Sequence, residues 1–222
     1  MLLKFWNLLK ENVAFRMKFF LCLSLVFNTA YSIFLFLLGA FYHSNWFCAM
    51  GIYFAILALL RFFIFCFIFN EIKPISYHRE IALYTAYGWF LLVLNLVVSA
   101  LVFAMIYKRQ PIPHHEIVVI ALATYTFTVM TIAIVNFVKY VKHHRLLYSA
   151  LRIVNLISAC VSMFTLANTM LVTFGEENLL LRSIVLSGMG GAITIFIVIL
   201  SVYMITTASR KAKEFKYEKN RQ

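Results

Sequence analysis

The chain has no aspartate, and its eight acidic residues are all glutamate. Charged residues of either sign make up only 13% of the 222, with three prolines, seven glycines and four cysteines. Each shortage excludes something. Without Asp there is no Ser-His-Asp triad, and no Gly-x-Ser-x-Gly turn exists to present a nucleophile. Glu11, Glu71, Glu80, Glu116, Glu176, Glu177, Glu214 and Glu218 all fall in tails, loops or the edges of apolar runs. Proton- and sodium-coupled carriers commonly place a carboxylate within the membrane, and none is available here. There is no P-loop, so an ATP-driven role requires a partner protein. Cys22, Cys48, Cys66 and Cys160 stand singly, without a CxxC pair or a Cys/His metal spacing, and read as small hydrophobes. His114, His115 and Glu116 form the one local cluster resembling metal chemistry, with His43 on the same side. Adjacent imidazoles diverge, whereas helical zinc sites place His at i and i+4. The sequence therefore predicts no enzyme, no metal and no cofactor.

What fills the chain instead is apolar: 64% of residues, 17% aromatic. A soluble domain needs a polar exterior, and these runs are too continuous to leave one. Crossing a bilayer takes about 20 apolar residues in a helix. Six runs qualify, at Phe19–Tyr42, Asn45–Phe69, Ile81–Ile106, Ile117–Val138, Leu146–Phe174 and Ser183–Thr207. A barrel would show short alternating segments, so the fold class is all-α integral membrane with six transmembrane helices. The domain plan is a cytoplasmic amphipathic interfacial helix over 1–18, a transmembrane domain over 19–207 and a basic tail over 208–222. In the first of these, Leu2, Phe5, Trp6, Leu9 and Val13 share a face.

Lys and Arg orient the bundle. Fifteen of the twenty flank one side, Lys108, Arg109 and Arg182 flank the other, and Arg61 and Arg152 fall within apolar runs. The positive-inside rule then makes both termini cytoplasmic. That bias accounts for the net charge of +12 without nucleic acid, and the basic tail at Arg210–Arg221 is expected against an anionic inner leaflet.

The polar residues inside the runs are the candidate site. A charge in hydrocarbon costs about 2.5–3.5 kcal/mol on insertion scales and marks function by default. Arg61 lies eight residues before the end of its run, about 12 Å deep. Three fates are open to it: snorkelling to inner-leaflet phosphate, bonding to backbone carbonyls or Asn side chains, or holding an anionic ligand. Arg152 sits either at the interface or, if its helix is tilted, in a basic pocket with Arg61. Asn28, Asn95 and Asn155 are read as cross-helix hydrogen-bonding groups or as the lining of a cavity, and Tyr125 has the same two readings. Asn28 and Ser32 stand four apart, as do Asn95 and Ser99, while Asn155 is followed by Ser158 and Ser162. This weak repeat is compatible with three pseudo-repeated helical hairpins. In the last run Ser187/Gly191 and Gly188/Ala192 form two small-xxx-small pairs, read as packing within the bundle or as a homodimer seam.

The segment from His115-Glu116-Ile117-Val118 through Ala123-Thr124-Tyr125-Thr126-Phe127 to Ala133-Ile134-Val135-Asn136 resembles uncharacterised small six-span membrane proteins of low-GC Gram-positive bacteria, and so does the stretch from Leu151-Arg152 to Phe174-Gly175. The resemblance covers about a third of the chain and implies a bacterial cytoplasmic membrane, with no activity or ligand attached. The functional expectation is a polytopic protein that binds or transports a small anionic solute or lipid. The alternative is a non-transporting accessory or scaffold subunit, partnered by another membrane protein or by its own copies.

Overall fold

The computed structural model describes residues 13–69, 77–107, 116–139, 146–174 and 179–219. The stretch 1–12, Pro74, Pro111, Pro113, His114, His115 and Gly175–Asn178 lie outside them. The described residues form six long helices: α1 Val13–Phe41, α2 Asn45–Phe69, α3 Tyr77–Tyr107, α4 Glu116–Lys139, α5 Leu146–Thr173 and α6 Leu179–Lys219. All six are long and apolar enough to cross a membrane. The sixth runs twelve residues past the end expected at Thr207. No proline or glycine interrupts Ala208–Lys219, and its Ala, Lys and Glu are strong helix formers.

α1 and α2 form a tight hairpin. His43 adopts φ 48°, and the Ser44 amide donates to Gly39 O at 2.9 Å, so α1 closes with a left-handed residue just past its end. Ser44 O then accepts from the Cys48 amide at 3.2 Å to open α2. The two helices approach closely because two glycines face backbone. A Cβ on Gly39 would lie 2.6 Å from the Cys48 amide nitrogen, and one on Gly51 would lie 3.0 Å from the Phe36 nitrogen.

The sequential hairpin repeat does not form. After α1–α2, the close pairs are α4 with α5 and α3 with α6. The α3–α6 pair is antiparallel in one register over its whole length. Tyr77 stacks obliquely on Phe215 at 5.5 Å, Gly88 faces Met204 and Ile205, and Gly190 faces Val102, at equal steps along the two helices.

α5 is the axis of the bundle. It packs on α2, α3, α4 and α6, and 67% of its span is buried against 17% for α6. Small side chains on several sides, among them Ala150, Ser158, Ala159 and Ser162, let its neighbours come close. Its amino end has no Ser, Thr, Asp or Asn at the capping position, and Glu80 of α3 supplies the missing acceptor: the Leu147 amide donates to its carboxylate at 3.2 Å. The starts of α3 and α5 and the end of α6 thus share one end of the molecule, the end with the excess of Lys and Arg.

The small-residue stripe of α6 points away from the bundle. Ser187, Gly188 and Ala192 are exposed, and nothing lies within 4 Å of a Cβ placed on Gly188 or Gly191. Of that group, only Gly190 packs inward.

Candidate functional site

On α2, Tyr53, Leu57 and Arg61 recur every four residues and share one face, which turns into the bundle. All three are buried, and Arg61 is 1% exposed. Snorkelling to the interface is thereby excluded. Side chains on a helix lean toward its amino end, so Arg61 extends away from the near, basic end. Its Nη2 donates to Val154 O of α5 at 3.3 Å. Val154 lies about 12 Å along α5 from Leu146, the same depth as Arg61 from the end of α2, so the side chain crosses the bundle instead of descending.

One backbone carbonyl is not enough for a guanidinium with five N–H donors. Nε and Nη1 of Arg61 have no hydrogen-bond partner among the described residues. No carboxylate among those residues reaches it, and its electrostatic neighbours are the phenols of Tyr53 and Tyr125. Tyr125 of α4 stacks face to face on Tyr31 of α1, with ring centroids 3.8 Å apart and planes within 4°. Phe54 meets the Tyr31 edge at 4.8 Å. The hydroxyls of Tyr31 and Tyr125 are buried without a well-formed hydrogen bond. A fixed positive charge, two open donor directions and a set of phenols make a site suited to an anion.

Asn28 and Asn155 belong to the adjoining layer. Ser24 Oγ donates to Asn155 Oδ1 at 3.1 Å, and one turn on Ser158 Oγ donates to Asn28 Oδ1 at 2.8 Å. Asn28 Nδ2 donates to Ser24 O at 2.8 Å, and Ser32 Oγ donates across to Gly51 O at 2.8 Å. These bonds tie α1 to α5 and α2 through polar groups. Beside the layer, between α1, α4 and α5, lies a crevice of about 20 Å³ with Ser24, Asn28 and Asn155 on its floor and Phe27 and Ile132 among its walls.

Two expected members lie elsewhere. Arg152 is half-buried on the opposite side of α5, where Tyr84 of α3 and Tyr203 of α6 surround it. Positions 152 and 154 point in divergent directions on a helix of 3.6 residues per turn, so Arg152 and Arg61 share no pocket. Asn95 is buried on α3, whose close partner is α6, and it has no hydrogen bond to the α1–α5 layer. Its Oδ1 has no partner among the described residues.

Three contributors had no place in the sequence reading: Ser24, Tyr31 and Tyr53. Ser24 does precede Asn28 and Ser32 at four-residue steps, a signal that could have found it. The tyrosines carry none, since Tyr suits interfaces and cores alike. Comparisons with models of protein families, with curated proteins and with solved structures match nothing to this chain. Its residues and geometry establish a polytopic integral membrane protein with six candidate spans.

Proposed function

We propose that this protein binds or moves a small anionic solute or lipid, non-enzymatically, with Arg61 holding the anionic group. The observation that carries the reading is the state of Arg61: fully buried and, among the described residues, bonded once to Val154 O, with Nε and Nη1 unpaired. An uncompensated charge at that depth is expensive, and an anion would supply both the counter-charge and the missing acceptors. Tyr125 is its neighbour, and Asn28 and Asn155 belong to the polar layer alongside Val154 on α5. Asn95 and Arg152 have no part in this site.

The Lys and Arg excess at one end supports an orientation with both termini cytoplasmic. The resemblance on 115–136 and 151–175 supports a bacterial cytoplasmic membrane. A second reading, an accessory or scaffold subunit, is favoured by the outward Ser187–Gly188–Gly191–Ala192 stripe. It would give a partner helix, or a second copy, a close approach to α6.

Native mass spectrometry of gently purified protein tests the first reading. We expect a retained anionic small molecule or lipid whose occupancy falls at least about tenfold, or about 1.4 kcal/mol, in Arg61→Met. The melting temperature of Arg61→Met should hold or rise, because an apolar chain of similar length replaces an unpaired buried charge. A bare wild-type protein, together with a lower melting temperature in Arg61→Met, would assign Arg61 to packing alone.

A further inference from the structure

We propose that the crevice between α1 and α4 is a lateral doorway to Arg61, and that it receives the anionic headgroup of a lipid while the lipid's chains stay outside, between the two helices. The proposal rests on the reading of Arg61 as an anion site and adds the route and the class of guest. Its first support is the way α1 and α4 meet. They are not among the helix pairs packed along their length. What joins them in the bundle interior is the Tyr31–Tyr125 stack with Thr126 beside the Tyr31 hydroxyl, and Thr126 is also bonded to Ser162 O of α5 at 3.5 Å.

The crevice lies one turn from that stack on both helices. Asn28 and Phe27 precede Tyr31 by three and four residues, and Val129 follows Tyr125 by four. It reaches the outside of the bundle, because Phe27 is 40% exposed and Leu23, Ser24, Ile132 and Asn155 are half-buried. At this depth the outside is hydrocarbon. Asn155 is nine residues, about 14 Å, along α5 from the basic end. The floor opens sideways near the middle of a bilayer, and its polar groups also bond α1 to α5. Its hydroxyl and amide groups can still bond a polar guest, and its apolar walls fit an alkyl chain.

Tyr125 connects the doorway to the charge. Its ring forms half of the stack one turn from the crevice, and its phenol is a neighbour of Arg61. Separating the two rings would open the Ser24–Asn28–Asn155 floor toward the unpaired Nε and Nη1. A space of about 20 Å³ holds one water and no phosphate, so admission of a headgroup requires α1 to swing from α4. No extended packing among the described residues holds that seam closed. A water-soluble anion would have to cross hydrocarbon to use the same opening, whereas a lipid's chains already lie there and its headgroup has only to descend the α1–α4 seam from the interface. The Lys and Arg excess at the near end would gather anionic lipid beside it.

The test uses the full chain with its four native cysteines replaced by serine or alanine, reconstituted in phosphatidylcholine vesicles with and without phosphatidylglycerol. Cysteines at Phe27→Cys and Ile132→Cys, one on each wall, are bridged by a short thiol reagent cleavable by reduction, before phosphatidylglycerol is supplied. Retained lipid is read by native mass spectrometry. We expect retention by the unbridged protein, a loss of at least tenfold on bridging, and recovery after cleavage. Tyr31→Ala, which removes the stack and leaves the walls intact, should exchange lipid several-fold faster. Equal loading of the bridged and cleaved forms would overturn the doorway while leaving the Arg61 reading standing. Equal loading of Arg61→Met and wild type would remove that reading, and the doorway with it. Displacement of the lipid by inorganic phosphate in the bridged form would show access from water and overturn the lipid route. Unchanged exchange in Tyr31→Ala would count against the stack as the closure.

Discussion

At position 61 a leucine would pack into the bundle without any cost of desolvation, yet an arginine stands there with two nitrogens unsatisfied among the described residues. Next to it the polar groups are matched in pairs. Asn28 with Ser158, and Ser24 with Asn155, form two rungs between helices that otherwise meet little. Hydrogen bonds of this kind average about 0.6 kcal/mol in membranes, since the separated helices also find partners. A double-mutant cycle of Asn28→Ala and Ser158→Ala, followed by unfolding in mild detergent, should therefore return a coupling of about 0.6 kcal/mol, and below about 1.7. The inward direction of Asn28 was legible from the sequence, because a short polar group inside an apolar run has nowhere cheaper to point. That of Arg61 was not, because a long cationic chain can equally snorkel to phosphate. Tyr31 and Tyr53 were not legible. A phenol is amphipathic enough for either environment, and only the meeting of α1, α2 and α4 shows Tyr53 beside the cation and Tyr31 stacked on Tyr125.

The helices themselves were nearly all visible as hydropathy: α2 begins and ends where its run does, and α3, α4 and α5 differ by a few residues. How they pair was not visible. In a soluble protein an apolar stripe tells which face is buried, but a helix in lipid is apolar all round and no stripe distinguishes neighbour from solvent. The Asn-x-x-x-Ser spacing hinted at equivalent hairpins, whereas steric fit at glycine decides the actual pairs. Two substitutions separate a glycine that packs from one that does not. Gly39→Val drives its side chain into the Cys48 backbone and should destabilise by about 1–3 kcal/mol or more. Gly191→Ala meets nothing in the bundle and should stay within about 0.5 kcal/mol. Both are read as shifts in thermal unfolding. If the outward stripe of α6 holds a partner, Gly191→Leu would break the assembly, seen by size-exclusion chromatography, while the monomer's melting temperature stays. Glu80→Ala removes the acceptor at the start of α5 and should cost about 1 kcal/mol, with Glu80→Gln costing less.

For the whole molecule the first question is which way it faces. Reporter fusions after Gln222 and within the loop at 108–115 should report opposite sides, the former cytoplasmic, as the distribution of Lys and Arg requires. A C-terminus on the outer side would invert every statement about leaflets. The pairing of α3 with α6 has a further consequence, for the newborn chain. α3 is complete at Tyr107, but its partner begins only at Leu179 and continues to Lys219. At synthesis rates of about 5–20 residues per second, α3 waits on the order of ten seconds with Gly88, Asn95 and Val102 uncovered. During that interval the ribosome must deliver α4 and α5. The order of membrane insertion is therefore not the order of assembly. A chain cut short before α6 would keep five apolar helices and still present the bare flank of α3 to the membrane's proteases, so truncation should be read as loss of the protein rather than loss of a tail.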